Sequence, residues 1–273
     1  MRGLKMIPAN KLECYEDNWE TAIGGWIPGE KVLLRGKNVL TELKDYRWME
    51  YLLFGITGRH SPRIARLIEG MWVICTSFPD PRLWNNRIAA LSATARSTGV
   101  LGSAGALAVS EATIYGFKPI KGGMDFLYRI DSLLDEGHDF DNLIANEMKK
   151  YRGIYGYGRP LVDQDERVTP LLDFAHSMKA GQGRYTELAF RVDEYLGNSR
   201  YKYRINASGV VAGLLADEGI TPEQHYHLAT LTFTAGVFPC FLDAAAKPEG
   251  AFFPLRVSRI NSKDAHEQRA WGE

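Results

Sequence analysis

Residues 204–224 read RINASGVVAGLLADEGITPEQ, and the way this stretch opens helices decides the fold class. At its end, Thr221 is followed by Pro222, which suits the first helical position. Gln224 at the third helical position completes a capping box with Thr221. At its start, Asn206-Ala-Ser-Gly209 is a second candidate helix start. The same grammar recurs upstream. Ser61-Pro62 precedes Ile64, Leu67, Ile68 and Met71 at helical spacing. Asp80-Pro81 opens Leu83-Trp84 and Ile88, with Asp80 as the expected N-cap. Thr169-Pro170 opens Leu171, Leu172, Ala175 and Met178. Met124, Leu127, Ile130 and Leu134 mark a further helix, which Gly137 can end. Gly99, Gly102 and Gly105 among alanines predict a helix that other helices approach closely. Strand signals are few: Glu30–Gly36, after Pro28-Gly29, reads as a short extended piece or hairpin. The expectation is a mostly α protein with no repeat and no long linker.

The chain has 273 residues, enough for a sizeable core and for one large or two smaller domains. Apolar residues make up 45% and charged residues 24%, the balance of an ordinary soluble globular protein. Lys plus Arg and Asp plus Glu both number 33, so charge gives no reason to expect nucleic acid or an anionic membrane as partner. Zero net charge with this apolar fraction favours burying surface in an oligomer. The amino terminus lacks the continuous apolar segment of a signal peptide. The apolar tract Leu231–Ala246, with Pro239 and Asp243 in it, is read as too short to span a bilayer. Cys14, Cys75 and Cys240 form neither a disulfide framework nor a zinc pattern, so a reducing cytoplasm is the expected location. His225 and His227 lie two apart on a helix and point to different sides, which argues against a metal pair.

Taken as a series, these segments resemble the citrate synthase superfamily, including its short citryl-CoA-lyase-like members. Residues 21–62 resemble the family's entry into its large helical domain, and SFPDPRLWNNRIAALSATARS (77–97) stands in place of its His-Gly-x-Asn…Arg-Val segment. KPIKGG (118–123) matches the Gly-Pro-x-His-Gly-Gly loop. YGYGRPLVDQDERV (155–168) matches Gly-Phe-Gly-His-Arg-Val…Asp-Pro-Arg, and RINASG matches the Asn-Val-Asp segment. TFTAGVFPCFLDAA (232–245) matches Ala-Arg-Thr-Val-Gly-Trp. The resemblance implies an all-α, two-domain fold with a cleft between the domains. The large domain would comprise 1–80 plus 220–273, and the small one 81–219. It implies a homodimer, coenzyme A as thioester substrate and no metal.

The family's catalytic positions differ in this chain. The first histidine falls at Ser77, the loop histidine at Lys121 and the aspartate at Ser208. The His-Arg pair becomes Arg159-Pro160, and one carboxylate-binding arginine becomes Phe233. Arg256 matches the late arginine that a neighbouring subunit contributes in the family. Serine does not titrate near neutral pH without an adjacent base, so plain citrate synthase chemistry is not expected.

Each candidate has a bland reading beside the functional one. Lys121 is a cation or desolvated amine at a ligand, or an exposed loop lysine beside the Gly122-Gly123 turn, whose amides would approach a ligand. Arg159 follows Gly156-Tyr-Gly158, which leaves room for an anionic group. Arg167 matches a position near the CoA phosphates. Either arginine is otherwise a surface salt bridge to Asp163, Asp165 or Glu166. Ser77, Asp80 and Ser208 would line the pocket. The expectation is a diverged enzyme that makes or breaks a carbon–carbon bond, or otherwise transforms a carboxylated or thioester molecule, with Lys and Arg stabilising charge. The alternatives are a catalytically silent metabolite-binding homologue, or a cyclase, decarboxylase or hydrolase working without CoA.

Overall fold

The computed structural model describes residues 13, 16, 17, 20–76, 79–159, 162–251, 256 and 259. It is dominated by helices, and it divides into two compact units, one within residues 1–69 and one within 70–273.

The first unit carries three short strands, more than the single hairpin piece expected. They are β1 (Gly24–Ile27), β2 (Lys31–Leu34) and β3 (Lys37–Asn38), antiparallel in the order β1-β2-β3. Gly24 pairs with Leu34 and Ile27 with Lys31 around the Pro28-Gly29 turn. The β2–β3 turn places Arg35 at φ 47 and Gly36 at φ 78, the double left-handed turn whose twist suits a two-residue hairpin. Arg35 then donates to the Gly55 and Ile56 carbonyls at the end of α1 (Trp48–Thr57), satisfying groups the helix cannot.

Helix α2 (Pro62–Cys75) starts where Ser61-Pro62 predicted, with Ser61 Oγ accepting from Ile64 N at 3.3 Å. The unit boundary falls inside it. The second unit contains α3 (Trp84–Thr94), α4 (Gly99–Ser110), α5 (Phe117–Asp135), α6 (Phe140–Tyr151), α7 (Val168–Ser177), α8 (Arg184–Asn198), α9 (Ala207–Asp217), α10 (Pro222–Ala229) and α11 (Thr234–Ala245). A 3-10 turn, Thr230–Phe233, joins α10 to α11. Its core has two parts: α5 packs on α8, α9 and α10, while α3 packs on α4 and α11. Glycines on α4 permit the close approach expected of them. A Cβ on Gly102 would sit 3.1 Å from both Phe241 and Ser92, and one on Gly105 3.1 Å from Ile88.

Several expectations change. Asp80 does not cap a helix: it accepts from Arg82 N at 2.7 Å in a turn, and α3 begins later, at Trp84. Helix α7 begins at Val168, ahead of Thr169-Pro170. The stretch 118–123, expected as a loop, lies inside α5. The apolar tract near the end is longer than expected, because α10, the 3-10 turn and α11 run on as Pro222–Ala245, long and apolar enough to cross a membrane. Here one face of that run packs inward, with Val237, Cys240 and Ala244 buried and α11 against α3, while Phe238 and Leu242 on it are exposed. Thr221 behaves as predicted: Gln224 N donates to Thr221 Oγ1 at 3.2 Å, and Thr221 N donates to Gln224 Oε1 at 3.0 Å.

Candidate functional site

The residues 154–159 form a loop that the chain fastens to the start of α9. Gly156 and Gly158 take φ of 95° and 82°, a region other residues enter at a cost. Gly158 N donates to the Arg204 carbonyl at 2.7 Å, and Asn206 N donates to the Gly156 carbonyl at 2.9 Å. Asn206 Nδ2 donates to the Gly158 carbonyl at 3.0 Å, while its Oδ1 caps α9 by accepting from Ser208 N and Gly209 N. The backbones then touch: a Cβ on Gly209 would lie 2.5 Å from the Gly156 oxygen. The room expected around this Gly-x-Gly pair is therefore filled by Gly209 and by Tyr203, which packs on Gly158. On the other side, the Tyr155 ring lies against Gly122 and its carbonyl against Gly123. Three sequence segments thus meet: 122–123, 155–159 and 206–209.

Beside them, Asp165 gathers donors from three segments. Its side chain is 0% exposed. Oδ1 accepts from Arg167 Nε at 2.8 Å and Arg167 N at 3.1 Å; Oδ2 accepts from Arg167 Nη2 at 2.7 Å and Ala207 N at 2.9 Å. Arg159 Nη1 lies 3.4 Å from Oδ1. Burial alone would raise this carboxyl, but the Arg167 guanidinium and the Ala207 and Arg167 amides outweigh it and hold the group at about 2. Cys75, at the end of α2, is near enough to feel this cluster. Burial pushes its thiol up to about 12, with Arg167 opposing and Asp165 adding. Next to it, Thr76 Oγ1 donates to the Thr232 carbonyl at 2.9 Å. Phe233 follows, edge-on to Tyr115 and Phe117 with ring centres 5.7 and 4.9 Å away. Phe233 thus belongs to an aromatic cluster with Tyr115 and Phe117.

A citryl-CoA lyase from Hydrogenobacter thermophilus superposes with a TM-score of 0.78 at 17% identity, covering 93% of this chain and 98% of that one. The chain has the citrate synthase fold. An ATP citrate lyase of Methanosaeta concilii, solved with (3S)-citryl-CoA, matches at TM-score 0.71 and 16% identity over 97% of this chain and 45% of the lyase. Citrate synthase from Thermotoga maritima matches at 0.57 and 13% identity, over 78% of this chain and 61% of the other. No protein-family model matches the chain, and no curated protein matches it by sequence.

The structure brings only some of the candidate residues together. Arg159, Arg167, Ser208, Gly122 and Gly123 sit around the meeting of α5, the 154–159 loop and α9, while Phe233 packs on Tyr115 and Phe117. Ser208 Oγ is buried and has no hydrogen-bond partner among the described residues. Gly122 and Gly123 offer no amides to a ligand, since they lie within α5, where amides serve the helix; Gly122 makes room for the Tyr155 ring.

Lys121 stands apart. Its Nζ pairs with Glu223 Oε2 at 2.5 Å on α10, and its side chain is 39% exposed. The Glu223 hydrogen bond raises the ammonium above its usual range, so Lys121 is held cationic and the desolvated-amine reading does not apply. Asp80 is occupied by Arg82, whose Nη2 lies 2.8 Å from Oδ2, and the hydrogen bond from that guanidinium lowers the carboxyl. Arg256 is exposed, and Ser77 lies outside the described residues.

Asp165 was visible in the sequence only as one possible surface partner of the arginines. The arginine pairs form as that bland reading has them, but on a buried carboxylate. Its spacing of two residues before Arg167 is the only local signal of this. The tie to Ala207 has none. His225 and His227 do diverge: His225 is buried, and His227 faces Glu223 at 3.3 Å.

Proposed function

We propose that this chain is a citrate-synthase-fold enzyme that makes or breaks a carbon–carbon bond in a small carboxylated or thioester substrate. Arg159 and Arg167 supply the positive charge that stabilises developing negative charge. The observation that carries this reading is the Arg159–Asp165–Arg167 cluster at the start of α9. Each arginine keeps about a third of its side chain exposed, at 30% and 32%, and guanidinium forks suit carboxylate and phosphate groups. Solved neighbours are consistent with it: one archaeal ATP citrate lyase was captured with citrate and coenzyme A. Coenzyme A is the proposed thioester carrier, and Arg167 the residue nearest its phosphates. Phe233 stands where the family's carboxylate-binding arginine is expected, and this replacement favours a less charged substrate than oxaloacetate.

Thermal stabilisation of the purified protein by CoA and acetyl-CoA, against free mono-, di- and tricarboxylic acids, tests the reading without knowledge of the reaction. Stabilisation by CoA species that Arg167→Gln removes supports it; a panel with no stabilising member refutes it. The second reading, a binding protein without catalysis, is favoured by Ser208, whose hydroxyl has no base bonded to it among the described residues. Binding without turnover of any panel thioester selects it. Stabilisation by acids alone selects an enzyme or binder that works without CoA.

The proposed assembly is a homodimer located in the cytoplasm. Helix α4 contains no charged residue, and helices apolar all round belong in interiors. Yet Val100 is 79% exposed and Leu101 65%, and Phe238 and Leu242 on neighbouring α11 are also exposed. Exposed apolar side chains on two packed helices make this face a candidate interaction surface. A second copy of this chain, offering the same uncharged helix, is the occupant whose chemistry matches it.

A further inference from the structure

Two carboxylates adjacent in the chain hold Arg159 in different ways. Asp165 is 0% exposed, and Arg167 and Ala207 together fill its two oxygens. No ligand can replace it without opening the cluster, because stripping one partner from a buried pair leaves an uncompensated charge. Glu166 is 71% exposed, and its Oε2 lies 2.5 Å from Arg159 Nη1. Exposed ion pairs are weak, and an incoming anion can take over their hydrogen bond. Arg159 thus has one fixed carboxylate at 3.4 Å and one removable one at 2.5 Å.

We propose that Asp165 is a positioning residue that fixes Arg159 and Arg167 against the first turn of α9, and that Glu166 occupies Arg159 until a ligand's anionic group takes its place. The proposal rests on Arg159 being a ligand-binding residue. The ligand's class is a small molecule bearing a carboxylate or a phosphate. The two adjacent carboxylates would then set, between them, where the cation stands and how tightly it binds.

The test is calorimetric titration of citrate and, separately, of CoA into the full chain and into four variants: Asp165→Asn, Glu166→Gln, Arg167→Lys and Arg159→Gln. Glu166→Gln is expected to keep the melting temperature and to tighten binding by up to about fivefold, the most that an exposed ion pair is worth. The ligand that responds identifies whether a carboxylate or a phosphate reaches Arg159. Asp165→Asn is expected to weaken binding at least about tenfold in protein shown to be folded, since a bidentate charge-assisted contact is lost. A purely structural Asp165 would lower the melting temperature and leave the affinity of the folded protein unchanged, which overturns the positioning role. Should Asp165→Asn not fold, Arg167→Lys decides. It keeps the charge but loses the fork on Asp165, and an unchanged citrate affinity there overturns the role as well. An unchanged affinity in Glu166→Gln overturns the displacement. If wild type and Arg159→Gln titrate alike, Arg159 binds no ligand, and the underlying reading fails along with this one.

Discussion

Replacing His225 offers a direct test of how the interior of the second unit is built. The ring is buried, and neither nitrogen has a hydrogen-bond partner among the described residues. Burial pushes the imidazole down from 6.5 to about 4. The sign follows from which state takes up the proton. Between those two pH values the unfolded chain is protonated at this residue while the native state is not, so stability falls as pH drops through the window. Above 6.5 neither state carries the proton and the contribution is complete; below about 4 both do and the slope disappears. At roughly 1.4 kcal/mol per pH unit, the loss over the whole window is about 3 kcal/mol. Denaturant unfolding at pH 7.5 and pH 4.5, for wild type and His225→Phe, isolates this residue, because the carboxylates titrate equally in both proteins. Wild type should lose about 2–3 kcal/mol more than the variant. At pH 7.5 the variant should be about as stable as wild type or more so, since an apolar ring replaces a polar one with nothing to bond. Parallel pH dependences, or a variant that loses several kcal/mol at neutral pH, would refute the assignment of a dry, unpartnered imidazole.

Other perturbations test separate parts of the structure. Gly209→Ala puts a methyl 2.5 Å from the Gly156 carbonyl, which neither backbone can yield to, and a loss of about 3 kcal/mol or failure to fold is expected in thermal melts. Thr221→Ala removes the side-chain half of the capping box, the bond from Gln224 N to Thr221 Oγ1, and should cost about 1 kcal/mol; denaturant midpoints read it directly. Leu101→Asp together with Leu242→Asp should convert a dimer to monomer in sedimentation at unchanged helicity, and a wild-type protein that sediments as a monomer at high concentration would exclude the α4–α11 face as a dimer contact.

The helix starts were legible because a cap is a local device. Thr221, Pro222 and Gln224 determine their own geometry, as do Ser61 and Pro62. Segment 118–123 misled for the same local reason, since a proline and paired glycines read as a turn. Pro119 in fact stands in the first turn of α5, where its missing N–H costs nothing. The glycines cost helix propensity, and the approach of the Tyr155 ring, more than thirty residues away, is what requires Gly122, where a Cβ would lie 2.4 Å from it. Asp80-Pro81 failed because Arg82 folds back onto the carboxylate and makes a turn of it. At the site, the motifs located Arg159 and Arg167 but could not reveal that DQDERV, to the eye a solvated charge run, sends one carboxylate inward. That depends on Ala207 N, which no pattern within the run announces.

The contact of Gly156 with Gly209 has a consequence for how this scaffold can be varied. Where two side chains fill a space, enlarging one can be rescued by shrinking the other. Here each residue already has the smallest possible side chain, and what meets is main chain. No second substitution at the pair can make room for the first. A library that randomises both positions together should return glycine at both, with no covarying solutions. Positions 121 and 166 carry exposed side chains outside that contact, and their diversity can be explored without disturbing the junction.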